Sequence, residues 1–186
     1  MALLTDFQGY YPNYSAELPR KLNYLTWVVL KARTRNSAGD VTLRSSDPRD
    51  MPAINFRYFE QGGEEDLAAI VDGIHFVRKL TARISEQNGL TEVVPGQLVQ
   101  SVDDLKTFIR QNAWGHHASC TCAIGPREGG GVLTTDFQVH GVHGLRVVDA
   151  SVFPRIPGTF LVSAVYMIAE KAAEAILHDR NPRPDK

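Results

Sequence analysis

Between Trp114 and Gly125 the chain reads WGHHASCTCAIG, which sets His116, His117, Cys120 and Cys122 within seven residues. Three chemistries use such a set. A zinc site would draw on imidazole and thiolate, but adjacent histidines point in different directions and C-x-C is not the usual C-x₂₋₄-C knuckle, so no metal is expected. A nucleophilic cysteine would need a lowered thiol pKa, exposure and a third residue to orient its base, and no sequence feature supplies that third residue. The third chemistry is proton abstraction by one histidine beside an apolar, aromatic-lined cofactor site, since imidazole titrates near neutrality. Against all three stands a pair of buried histidines hydrogen-bonded to backbone, and spacing alone does not choose.

The surrounding elements follow from periodicity. Tyr24–Thr34 is rich in β-branched and aromatic residues, and with Val41–Leu43 across the NSAG turn it predicts a hairpin. Pro48 and Pro52 mark an extended, loop-like stretch, after which Leu67, Ile70, Val71, Ile74 and Val77 trace one helical face behind Glu64, Glu65 and Asp66. Ser101 caps a short helix with Leu105, Phe108 and Ile109, ending near Ala113. Val132–Val139 and Leu145–Val148 predict strands joined by a Gly141–Gly144 turn, and Leu161–Leu177 repeats its apolar residues as a closing helix. This order favours an α+β fold, with a mixed or antiparallel sheet and packed helices, over a regular βαβ array.

Residues 1–23 show neither period and are expected to be irregular, while 179–186 form a polar tail that ends NPRPDK. With 186 residues, 43% hydrophobic and 22% charged, the chain is of globular composition and about the size of one domain. Its 20 Lys and Arg balance 21 Asp and Glu without forming a basic stripe, so no nucleic-acid partner is expected. Two cysteines so close together do not suit a multi-bridge secreted scaffold, which makes a reducing, cytoplasmic setting the expectation. Met1–Pro19 has no basic-then-apolar pattern and no run reaches roughly 18 apolar residues, so no membrane association is expected either.

HHASCTCAIG read together with GGGVLTTDFQVHGVHGLRVVDASVFPRIPGTFLVSAVYMIAEKAAEAIL, Gly129–Leu177, resembles the C-terminal portion of the glucose-methanol-choline (GMC) family of flavin-dependent oxidoreductases. Upstream, DVTLRSSDPRDMPAINFRYF, Asp40–Phe59, is similar to the family's substrate-domain strand and the segment after it. The resemblance covers residues 24–178. It implies a substrate domain completed by a C-terminal strand, loop and helix that finish an FAD-binding domain. It further implies FAD as cofactor, a small-molecule alcohol as substrate, and oxidation of a CH–OH donor by hydride transfer to the flavin.

Aligning the family's G-T-C triplet with Cys120, Thr121 and Cys122 makes His117 the implied general base and His116 its flavin-facing neighbour. The family's V-D-A-S segment implies flavin contacts from Asp149 and Ala150, and the start of the last helix implies them from Phe160 and Leu161. Asp149 also reads, from its residue type alone, as a turn or cap residue. Three positions depart from the family pattern. Phe160 stands where a second His or Asn is usual and cannot hydrogen-bond a substrate oxygen, which suggests slower turnover or a more apolar substrate. Cys120 replaces the triplet glycine, and no G-x-G-x-x-G follows a first strand. The chain therefore resembles the C-terminal third of such an enzyme, with an N-terminal FAD-binding partner or segment needed for function. Left alone, its former interface would be exposed and would favour a homo-oligomer. The rival expectations are a non-catalytic binding or structural module that keeps the sheet and helices but lacks the dinucleotide-binding half, and a His/Cys metal site.

Overall fold

A computed structural model describes residues 2–5, 12–17, 23–158 and 160–180. Helices and short antiparallel sheets alternate, an α+β architecture, and the chain divides into two compact units at Ala113 and Trp114.

Among the described residues the first unit holds four strands and three helices. β1 (Ala2–Thr5) pairs antiparallel with β2 (Leu25–Val28), Leu3 opposite Trp27. α1 (Tyr14–Glu17) is a single helical turn. β3 (Asp40–Thr42) pairs antiparallel with β4 (Ala53–Asn55), Val41 opposite Ile54. The sequence predicted one hairpin from Tyr24–Thr34 and Val41–Leu43, and the structure corrects this. Each of these strands takes a different partner, one from the N-terminal residues expected to be irregular and one from the proline-flanked stretch expected to be a loop. Strand partners are chosen by non-local packing, which local composition does not encode.

α2 (Gly63–Asn88) ends on Gly89 at φ 64°, a left-handed C-cap that glycine adopts without a Cβ clash. α3 (Val102–Asn112) opens on Ser101, whose hydroxyl accepts from the Asp104 N–H at 3.1 Å. Their apolar faces meet in one core of Leu67, Val71, Leu105 and Ile109, with Phe59, Ile70 and Ile74 packed against it. Glu64 clamps the two helices from outside, bonded to Lys106 at 2.7 Å and Arg110 at 2.6 Å.

Inside the first turn of α2, Asp66 is 1% exposed. Its carboxylate accepts from the backbone N–H of Arg35 at 2.9 Å and of Asn36 at 3.1 Å, and Lys31 Nζ lies 3.3 Å away. A buried charge persists only when partnered in this way, so Asp66 fixes the 31–36 segment to the helix.

The second unit is built mostly from turns closed on one helix, α4 (Val162–Arg180). Its core gathers Leu133, Phe137, Val152 and Ala172, with Ile124, Val139, Val147 and Ile168 around them. The two strands expected over 132–148 reduce to isolated bridges, Leu133 with Val139 and Gln138 with Arg146. Tight turns at 134–137 and 139–142 interrupt the pairing before a strand can extend: Phe137 N–H donates to Thr134 O and Val142 N–H to Val139 O. Gly131 lies so close to the Gly125 carbonyl that no Cβ fits there. α4 runs through Asp179, placed in the polar tail by the sequence, and Asp179 receives bonds from Arg146 and Gln138. The remainder of that tail, 181–186, lies outside the described residues.

Candidate active site

Within the second unit, Cys120–Ile124 runs beside residues 150–152. The N–H groups of Cys120, Cys122 and Ile124 donate to the carbonyls of Ala150, Ser151 and Val152 at 3.2, 2.9 and 2.9 Å. The other side of the strip is closed by Val132 N–H on Ala123 O at 2.8 Å and Gly125 N–H on Leu133 O at 3.0 Å. His140 Nε2 meets the Gly125 carbonyl at 2.9 Å. The strip therefore has little freedom, and the histidines emerge from its N-terminal end.

There the rings form a series. Trp114 stacks on His116 with centroids 4.6 Å apart and planes 25° from parallel. His116 meets His117 edge-on at 4.4 Å and 61°, and His117 meets Phe160 at 6.3 Å and 76°. His117 is half-buried, and among the described residues no hydrogen bond engages its ring nitrogens. Phe160, 53% exposed, precedes the first turn of α4, and Leu161 beside it is buried with its carbonyl accepting the Val165 N–H at 2.9 Å.

The remaining predicted residues occupy the strip's far flank. Asp149 caps a 3-10 turn over Ala150–Val152, its Oδ1 accepting from the Ser151 N–H at 2.7 Å. The nearby Ser151 hydroxyl, which forms no hydrogen bond of normal geometry, and the bonded Ser151 N–H together hold the Asp149 carboxyl below the usual carboxylate range. This is the cap role that its residue type allowed. Ala150 contributes its carbonyl to the strip through Cys120. Thus His116, His117 and Phe160 share ring contacts, Ala150 is joined to the strip by backbone with Asp149 capping the turn that begins there, and Leu161 anchors the helix start. No hydrogen bond among the described residues links Asp149 to either histidine.

Two features escaped the sequence reading. The Trp114 stack was signalled only by an aromatic two residues before a histidine. Cys120 adopts φ 71°, a left-handed conformation, where the reading saw a side-chain exchange. Among the described residues no group of three or more His, Cys, Asp or Glu is placed to hold a metal ion, and no helix is long and apolar enough to cross a membrane.

The family model described as GMC oxidoreductase matches residues 35–169, most of the chain and all of this strip. The chain belongs to the GMC oxidoreductase family. Over 153 residues it is 40% identical to the chloroplastic fatty acid photodecarboxylase of Chlamydomonas reinhardtii, covering 80% of this chain and 24% of that protein. Over 143 residues it is 40% identical to an oxygen-dependent choline dehydrogenase of Yersinia pseudotuberculosis, with 75% and 24% covered. A fungal aryl-alcohol oxidase structure superimposes with a TM-score of 0.60 at 34% identity, over 76% of this chain and 23% of that one. The chain thus spans about a quarter of the length of the GMC relatives it matches. FAD is the cofactor of the GMC family.

Proposed function

We propose that this chain is the substrate-side, flavin-contacting part of an FAD-dependent oxidoreductase that oxidises a CH–OH donor, with His117 as general base. The reading rests on one observation above others: a half-buried imidazole with unengaged nitrogens, at the N-terminal end of a hydrogen-bonded strip and meeting Phe160 at the start of a long helix. Membership of the GMC family, and relatives named for choline and aryl-alcohol oxidation, support an alcohol as the substrate.

The residues present fit one side of FAD. The first N–H groups of α4 lack partners within the helix and carry its positive end, which suits the electron-rich edge of a reduced ring, with Phe160 and Leu161 adjoining it. The Ala150 and Asp149 turn offers backbone at the strip's other flank. The chain supplies no G-x-G-x-x-G to hold the pyrophosphate, so that half of the site belongs to an N-terminal FAD-binding part. FAD, when bound, supplies the hydride acceptor.

His117 does the rest of the work. A ring nitrogen takes the substrate hydroxyl proton, and the alkoxide character so created eases loss of hydride from the same carbon. The imidazolium that remains attracts the developing oxygen charge. His116 flanks this base, and Phe160 walls the site without offering a hydrogen bond.

The experiment is reconstitution of the chain with a GMC N-terminal part and FAD, followed by anaerobic addition of an alcohol. Bleaching of the flavin absorbance is expected, slowed by at least about a hundredfold in His117→Ala. Bleaching at the wild-type rate in that variant would remove His117 from the role of base.

A further inference from the structure

A general base works only if its ring is held in one orientation, and the usual device is a hydrogen bond from its second nitrogen to a carboxylate or carbonyl. His117 has no such bond among the described residues. Its ring meets two others edge-on, His116 at 4.4 Å and Phe160 at 6.3 Å between centroids. His116 is itself exposed, and it is covered by the indole of Trp114 at 4.6 Å in a near-parallel stack.

We infer that Trp114 is a positioning residue for the proposed base, holding His116 by stacking so that the His116 edge fixes the orientation of His117. This rests on the assignment of His117 above. Three features of the geometry carry it. First, the Trp114 indole stacks on His116 at 4.6 Å, and Trp114 belongs to neither of the two buried cores. Second, the strip's hydrogen bonds to 150–152 begin at Cys120, three residues beyond His117, so backbone pairing with that turn does not reach the histidine side chains. Third, the contacts alternate between a stack and two edge-on meetings, the arrangements that aromatic quadrupoles favour. Phe160 ends the series just before α4, so His117 meets rings from two separate stretches of chain while no hydrogen bond among the described residues engages its nitrogens.

The test uses the full chain and does not depend on turnover. Side-chain resonances of the six histidines are followed by NMR, with His117 assigned through His117→Gln. Trp114→Ala is expected to move and broaden the His116 and His117 ring signals, and Trp114→Phe, which keeps a stacking ring, is expected to restore them. His140, bonded to the Gly125 carbonyl, serves as the internal control and should not move. His117 signals unchanged by Trp114→Ala overturn the inference, and so does an equal displacement of His140, which reports general loosening.

In the reconstituted flavoprotein, Trp114→Ala is expected to lower kcat about tenfold or more while KM changes little, with recovery in Trp114→Phe. An unchanged kcat in Trp114→Ala counts against positioning. Wild-type turnover in His117→Ala is a different result: it removes the base, while the ring signals still decide whether Trp114 orients the side chain.

Discussion

Cys120 stands at φ 71° inside the strip that carries the histidines, and its N–H bonds the Ala150 carbonyl. A residue with a Cβ loses roughly 1–2 kcal/mol in this conformation, and glycine recovers that at an entropic cost of ~0.5–1 kcal/mol. Cys120→Gly is therefore expected to raise stability by about 0.5 kcal/mol, and Cys120→Val to lower it, both read as shifts in thermal midpoint. The sequence showed a cysteine where the family triplet has glycine, but a residue's name does not report its backbone angle. His117 and Phe160 were singled out by resemblance, and the structure brings their rings together across 43 positions of chain. The Trp114 stack was not legible, because two residues of spacing fit many side-chain directions.

Asp66 and Glu64 occupy the same first helical turn and act on α2 in opposite ways. Asp66 is buried and bonds two backbone N–H groups, so Asp66→Ala orphans both and leaves Lys31 without its partner. A loss of about 3 kcal/mol is expected in urea unfolding. Glu64 is exposed, and its bonds to Lys106 and then Arg110 hold its pKa below the usual carboxylate value. Because the folded value lies below the unfolded one, its contribution is present above the unfolded carboxylate range and fades as pH falls through the lowered value. Glu64→Gln should accordingly destabilise the protein slightly at pH 7 and not at all near pH 2, compared by urea midpoints at both. Equal differences at the two pH values would sink this account of the clamp. These helices were readable because a 3.6-residue repeat is a local property, and caps such as Ser101 lie within a few residues of what they bond. The strands were not, since β1 finds β2 across some twenty residues and β3 finds β4 beyond two prolines.

On the scale of the whole chain, composition gave the globular class and the C-terminal motifs gave the family, but neither described how much apolar surface stays uncovered. Along α4, Val162, Tyr166, Met167 and Leu177 are exposed, Tyr166 by 71%, although Ala172 on the same helix is buried in the core. A soluble chain rarely leaves such a face bare. Sedimentation velocity at increasing concentration is expected to reveal association, reduced when Tyr166 and Met167 are both changed to Lys. A monomer at every concentration would show that the face is tolerated uncovered. A chain that spans a quarter of its relatives has reason to keep such a surface, since the proposed flavin-binding part must seat somewhere.

The three hydrogen bonds from 120–124 to 150–152 also bear on how this protein can be recombined with its relatives. They make two separate stretches of gene a single mechanical part. A chimera joined between Ile124 and Ala150 inherits the 120–124 strip from one parent and the turn that pins it from the other, so its two halves must agree in register before any side chain matters. Junctions placed before Trp114, where the chain divides into its two compact units, carry the whole assembly across intact, which makes that boundary the natural seam for recombination.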